Sequence, residues 1–324
     1  MAFFDMPLEQ LEKYSLPDYE PKDFDAFWQQ TLAEAAAFPL DAKFEPVIDI
    51  PFKNVQAFDV TFNGFAGQKI KAWFLKPTAA EGRLPCIVHY LGYGGGRGFP
   101  TDHTLWPAMG YAVLLVDSRG QGGGNSGYPG DTPDVSDSLP HKNGFMTRGV
   151  ESPKTYYYRR LFTDAVRAVD AAIANPAVDA GRIGLTGGSQ GGGITIAAAA
   201  LAGEKVRIAM PDVPFLCAYR RAIAITNDDP YAEITGYLKT YRGRLEQTFT
   251  TLAYHDGVNF APRIKARCLF SVGLMDSICP PSTVYAAYNR VNAPKEIRVY
   301  TYNNHEGGGP YQTAEKVRFA AKYL

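Results

Sequence analysis

Residues 182–194 read RIGLTGGSQGGGI. Two kinds of chemistry use such a cluster. Glycines can bring backbone N–H groups up against a phosphate. They can also relieve a turn so tight that it lifts a serine hydroxyl above a sheet. The phosphate reading needs GxxxxGK[ST], and no stretch of the chain supplies it. A dinucleotide loop needs GxGxxG opening a helix. The match at Gly122, Gly124 and Gly127 runs into YPGDTPD, which does not open one. Gly187-Gly188-Ser189-Gln190-Gly191 is GxSxG, set between the apolar run RIGLTG and the helical stretch ITIAAAALA. That is the pattern of a nucleophile elbow, in which Gly187 and Gly191 leave room for a strained serine. The helix N-terminus behind it favours developing negative charge.

A nucleophile of this kind needs an acid and a histidine, which follow it in that order. The chain holds five histidines, His89, His103, His141, His255 and His305. Three precede Ser189, and His255 lies before the last two strand-like runs. His305 stands in YNNHEGGGP just after the final run KEIRVYT, and is the expected general base. Asp276, in the loop after ARCLFSVG, is the expected acid, orienting the imidazole and stabilising its cation. Asp212, after VRIAMPD's apolar core, is the rival, and Asp117 reads as a loop support. The oxyanion donors expected are the main-chain N–H of Gln190 and that of Tyr93, with Gly94 next in line, in YLGYGGG. Tyr93, Phe215, Ile278 and Cys279 are candidates for a small acyl pocket, although ordinary packing explains each as well. Trp106 reads more simply as core than as a substrate contact, and the aromatic–basic run Tyr156 to Arg160 as packing against the sheet or a neighbouring subunit.

These residues need a scaffold. NVQAFDVTF and QKIKAWFLKP read as a hairpin around NGFAG. After them strand-like runs (CIVHYL, AVLLVD, RIGLTG, VRIAMPD, ARCLFSVG, KEIRVYT) alternate with helical ones (YYRRLFTDAVRAVDAAIA, GITIAAAALA, STVYAAYNRV, QTAEKVRFAAKYL). The alternation predicts an α/β fold with a mostly parallel sheet, helices on both faces and antiparallel strands at one edge. We expect one domain over 1–324, with a helical extension at 1–50 headed by DFDAFWQQTLAEAAAF behind an Asp cap. A long loop is expected at 121–156, and an insertion within the domain at 214–262, after the sixth strand.

Charge narrows the ligand. Lys plus Arg and Asp plus Glu are 33 each, so the formal net charge is zero. A polyanion partner would call for a basic excess, so nucleic acid is not expected. No apolar run approaches the ~20 residues of a membrane helix. The opening MAFFDMPLEQLEKY lacks the form of a secretory signal, which suggests a cytoplasmic protein. Cys86, Cys217, Cys268 and Cys279 are far apart and suggest neither zinc nor a redox pair. No metal or cofactor is expected.

Three segments in this order, DSRGQGGG, GGSQGGG and YNNHEGGG, resemble the RGQ, GxSQG and HE motifs of the cephalosporin C deacetylase and acetyl xylan esterase family, carbohydrate esterase family seven. The resemblance extends over YLGYGGGRGFP, FMTRG, TYYYRR and DVPFLC, and so over the whole chain. It implies an α/β-hydrolase fold and removal of acetyl groups from small esters, either acetylated xylo-oligosaccharides or an antibiotic such as cephalosporin C. It places the triad on Ser189, Asp276 and His305 and the oxyanion hole on Tyr93 and Gln190. It also implies a cytoplasmic homohexamer with the sites facing an inner cavity, and acetyl transfer to hydrogen peroxide. For Arg119 and Gln121 a loop-bracing role is favoured over substrate contact. Four rivals remain: a general short-chain carboxylesterase, a peptidase of the same fold, a lipase, and a catalytically silent scaffold, against which the intact Ser, Asp and His speak.

Overall fold

The computed structural model describes residues 3–124, 127–134 and 144–324. Part of the expected long loop, His141 with it, therefore lies outside the described residues. Among those residues a nine-stranded sheet runs in the order β1-β2-β3-β5-β4-β6-β7-β8-β9. The chain enters through α1 (Leu8–Leu11) and α2 (Phe24–Ala36). It then forms β1 (Lys43–Pro46), β2 (Val55–Asn63) and β3 (Lys69–Pro77). These pair antiparallel, and β3 joins the parallel part of the sheet through β5.

The parallel part holds β4 (Leu84–Tyr90), β5 (Ala112–Val116), β6 (Val178–Gly188), β7 (Ile208–Asp212), β8 (Arg267–Gly273) and β9 (Lys295–Tyr300). Helices α3 (Leu105–Ala108), α4 (Tyr157–Ala174) and α5 (Gln190–Ala202) connect the first of these strands. Between β7 and β8 lie α6 (Tyr219–Ile225), α7 (Tyr231–Thr240), α8 (Leu245–Ala253) and α9 (Gly257–Phe260). Helix α10 (Pro281–Arg290) precedes β9, and α11 (Gly309–Tyr323) follows it.

Successive residues of a strand face opposite sides, and β4 divides its side chains accordingly. Cys86, Val88 and Tyr90 join a large core with Leu161 and Phe162 of α4, Ile194 and Ile196 of α5, and Val284 of α10. Ile87 joins a smaller core on the other face with Trp106 of α3 and Phe319 and Ala320 of α11. Trp106 is thus a core residue. So are Tyr156, Tyr157 and Tyr158, all fully buried.

Two expectations change. The 1–50 extension is not purely helical, because KFEP forms β1, so the inserted segment follows the seventh strand rather than the sixth. This edge strand is short and largely exposed, and carries no apolar alternation by which it could be found. Asp23 sits at the N-terminus of α2 but does not cap it. Its carboxylate instead accepts the Tyr254 hydroxyl at 2.5 Å.

Strand β4 lies between β5 and β6, so the chain leaves it to one side and returns on the other. Open parallel sheets bind their ligands in the crevice at the strand C-termini where this reversal occurs. Tyr93 follows the end of β4, and Ser189 follows the end of β6.

Candidate active site

Ser189 is the residue between β6 and α5, with φ 57° and ψ −121°. Its main-chain N–H donates to Asp212 O at 3.0 Å, and its carbonyl accepts from Phe215 N at 2.9 Å and Gly193 N at 3.1 Å. These three bonds hold a backbone conformation that is costly for any residue with a side chain. The flanking glycines are steric requirements. A Cβ on Gly191 would stand 2.3 Å from Tyr90 O, and one on Gly187 would stand 2.5 Å from the Gly191 carbonyl. The elbow is therefore pressed against the start of the loop after β4.

Asp276 and His305 come together from the loops after β8 and β9. His305 Nδ1 and Asp276 Oδ2 are 2.8 Å apart. The other oxygen, Oδ1, accepts from Ile278 N and Cys279 N, each at 2.9 Å. Asp276 is fully buried, while a quarter of the His305 side chain is exposed. The acid is thus fixed by three donors, and the imidazole keeps Nε2 for another partner. Parallel β8 and β9 bring the two loops side by side. The backbones also touch closely, since a Cβ on Gly273 at the end of β8 would stand 2.3 Å from Asn304 O.

Cys279 links this pair to the serine. Its thiol is buried, and burial pushes its pKa well up; the Asp276 charge adds to this, and a hydrogen bond with the Ser189 side chain pulls the other way. Ligating atoms of Asp276, Cys279 and His305 lie within 4.8 Å of one another. A cation held there would have to displace the imidazole–carboxylate bond. Asp276, Cys279 and His305 form one cluster, at the same C-terminal edge of the parallel strands as Ser189.

The N–H groups of Tyr93 and Gln190 find no acceptor among the described residues, whereas Gly94 N donates to Gln121 Oε1 at 2.7 Å. Gly94 is thereby taken out of the choice for second donor. Gln121, whose role chemistry alone had left open, ties the two loops together. Its Nε2 donates to Tyr157 OH and to Gln190 Oε1, both at 2.9 Å. The Tyr158 hydroxyl donates to the same Gln190 Oε1 at 2.9 Å. Arg119 is fully buried and binds both oxygens of Asp164 on α4, at 2.6 and 2.7 Å. Burial opposes the Arg119 charge, but Asp164 and Asp134 outweigh it and raise its pKa. Arg119 and Gln121 are braces beneath the site, as are the tyrosines that open α4.

The rival acid is occupied elsewhere. Asp212 accepts Gln312 Nε2 at 2.7 Å and Lys316 Nζ at 2.5 Å, both from α11. Asp117 accepts three backbone N–H groups, those of Arg97, Asp131 and Thr132, and burial raises its pKa to about 6. His103 contacts Arg97 O, and His255 is fully buried. Of the pocket candidates, Cys279 lies directly beside the serine and Ile278 is half-buried next to it. Phe215 is buried between the rings of Tyr93 and Tyr231, with centroids at 6.2 and 4.4 Å. The Tyr93 hydroxyl is engaged with Glu233 of the inserted segment at 2.7 Å. Glu233 escaped the sequence reading because no local pattern marks a glutamate that acts across 140 residues.

The family model described as acetyl xylan esterase (AXE1) matches residues 1–323. The chain belongs to the acetyl xylan esterase family. Two solved acetyl xylan esterases share its architecture. The enzyme from Paenibacillus sp. R4 is 40% identical with a TM-score of 0.91, covering 98% of this chain and all of its own. Acetyl xylan esterase 1 from Thermoanaerobacterium sp. JW/SL YS485 is 33% identical with a TM-score of 0.89, covering 99% of this chain and all of its own. A curated relative, acetyl esterase Axe7A of Xylanibacter ruminicola, is 27% identical over 298 residues, or 88% of this chain. The chain spans 63% of that relative's length. An acylaminoacyl peptidase from Pyrococcus horikoshii, 17% identical with a TM-score of 0.61, shares the fold alone over 84% of this chain and 42% of its own. The fold of this family member is the α/β-hydrolase fold.

Proposed function

We propose that this chain is a serine esterase that removes acetyl groups from small acetylated substrates, with acetylated xylo-oligosaccharides foremost, through an acetyl-serine intermediate. The observation that carries the reading is the Asp276–His305 pair, bonded at 2.8 Å at the same C-terminal edge of the parallel strands as the strained Ser189. Residues 1–324 act as one catalytic unit in this reading.

His305 Nε2 takes the Ser189 proton as Oγ attacks the acetyl carbonyl carbon. Asp276 holds the imidazole in the tautomer with Nδ1 protonated and stabilises the cation that forms. The carbonyl oxygen becomes an oxyanion and settles on the N–H groups of Tyr93 and Gln190. The tetrahedral adduct collapses, the C–O bond to the sugar breaks, and His305 returns the proton to the leaving alcohol. A water molecule then attacks the acetyl-serine in the same way and releases acetate.

Ile278, Cys279, Phe215 and the Tyr93 ring bound the acyl pocket in this reading, which makes it small. Cephalosporin C presents the same acetyl ester of an alcohol and is a second substrate of the proposal. The homohexamer, the cytoplasmic setting and acetyl transfer to hydrogen peroxide rest on the family resemblance.

The decisive experiment is kcat/KM for nitrophenyl esters from acetate to octanoate, with Ser189→Ala as control. A steep fall beyond two or three carbons is the expected result. A flat profile would replace the deacetylase with a general carboxylesterase, and a fully active Ser189→Ala would remove the serine mechanism itself.

A further inference from the structure

Glu233 stands in the first turn of α7, far in sequence from every residue of the proposed triad. Its carboxylate collects three donors. Oε1 accepts from Tyr93 OH at 2.7 Å and from Gly144 N at 3.0 Å, and Oε2 accepts from Met146 N at 3.1 Å. The Tyr93 hydroxyl in turn accepts from Phe145 N at 2.9 Å and Gly144 N at 3.2 Å. The Tyr93 ring is wedged edge-on between Phe145 and Phe215, with centroids at 5.7 and 6.2 Å. Hydrogen bonds to an ionised acceptor are about twice as strong as neutral ones. The phenol is therefore anchored at its far end as firmly as its ring is held at the sides.

That anchor bears on the proposed oxyanion hole. The main chain at Tyr93 is gripped from two directions, by the phenol on Glu233 and by Gly94 N on Gln121. Between these grips the Tyr93 N–H has no acceptor among the described residues, and it belongs to the loop after β4, whose start packs on the elbow. An oxyanion donor is effective because it is aimed before the charge develops. Rotating it away costs transition-state stabilisation while leaving ground-state binding alone.

We propose that Glu233 is a positioning residue which, through the Tyr93 phenol, aims the Tyr93 N–H at the oxyanion. The inserted segment would then complete the hole from outside the sheet. This rests on the serine-esterase reading above. It does not depend on which acetyl ester is physiological.

The test compares Glu233→Gln, Tyr93→Phe and the double variant with wild type, using nitrophenyl acetate. An aryl trifluoromethyl ketone serves as the probe. Its carbonyl carbon bonds to Ser189 Oγ, the serine proton passes to His305, and the resulting oxyanion occupies the hole. Each single variant is expected to lose about ten- to a hundredfold in kcat, given the cost of a displaced donor. KM should stay within about twofold, as it does when only transition-state binding is lost. The affinity for the ketone should fall by the same factor as kcat/KM. Since both residues act through one bond, the double variant should lose no more than the worse single one.

Folded variants with wild-type kcat would overturn the proposal. So would losses that multiply in the double variant, or a rise in KM with kcat preserved. Thermal unfolding is measured alongside; if Glu233→Gln does not fold, Tyr93→Phe, which keeps the ring in its slot, decides alone. A Ser189→Ala chain that hydrolyses the ester as wild type does, or a wild type that ignores the ketone, would instead fail the esterase reading beneath.

Discussion

Asp212 ends β7 and Asp276 lies in the loop after the adjacent β8, yet one carboxylate meets an ammonium group and the other an imidazole. Substitution separates them. Asp276→Asn keeps the shape but offers His305 the wrong partner, and kcat should fall about ten-thousandfold. Asp212→Asn should leave kcat within a few-fold. Its cost is stability, because Lys316, only 15% exposed, loses its counter-charge; urea unfolding should show about 1–3 kcal/mol. Equal losses of activity in both would refute the assignment. Gly191→Ala tests the elbow itself: a methyl group 2.3 Å from Tyr90 O has nowhere to go. It should cost about 1–3 kcal/mol by overpacking and abolish turnover by moving the serine. At this scale the sequence was informative where chemistry demands a motif. Ser189 stands out through its glycines, and His305 because the other histidines stand in the wrong order. Glu233 was not legible, and for Gln121 a bracing role was legible but its partners were not, since each acts through contacts between distant segments.

The elements show why those contacts exist. The inserted helices reach back to both loops of the site. Besides Glu233, which reaches Tyr93 in the loop after β4, Thr226 Oγ1 donates to Ser277 O and Ser277 Oγ donates to Asp228 Oδ2, both at 2.5 Å, beside Asp276 in the loop after β8. From below, Arg119 ties the loop after β5 to α4 through Asp164. Removing that guanidinium strands a fully buried carboxylate. Arg119→Met should therefore lower stability by about 3–5 kcal/mol, read by chemical denaturation, although the side chain does not touch Ser189. A loss below 1 kcal/mol would mean that the pair is dispensable. The central strands and α4, α5, α10 and α11 were readable from their apolar residues, since β5 and β7 are buried along their whole length and the helices pack against the two faces of the sheet. Strand β1 was not, since an exposed edge has no apolar face to announce it.

For the whole molecule, burial decides the response to acid. His255 is enclosed by Phe27, Trp28, Tyr156 and Phe162, and burial lowers its pKa from 6.5 to about 3. The unfolded chain binds that proton first. The stability this neutral imidazole contributes is full above pH 6.5 and is lost as pH falls towards 3, by roughly 4–5 kcal/mol. Its neighbour Asp256 works the other way: burial raises its pKa from 3.8 to about 6. The folded state holds that proton longer, so this carboxyl lowers stability as pH rises from 4 to 6. Replacing the imidazole by His255→Phe should flatten the fall in unfolding free energy between pH 6.5 and 4, measured as urea midpoints at each pH. An unchanged slope would show that His255 titrates normally.

The serine and its histidine are 116 positions apart (305 − 189), and α11, which carries the partners of Asp212, comes later still. A chain made from its N-terminus therefore emerges from the ribosome with Ser189 long before His305. Under the proposed mechanism it hydrolyses nothing until β8 and β9 have joined the sheet, so acquisition of activity is a late event that reports the folding of the sheet's far edge.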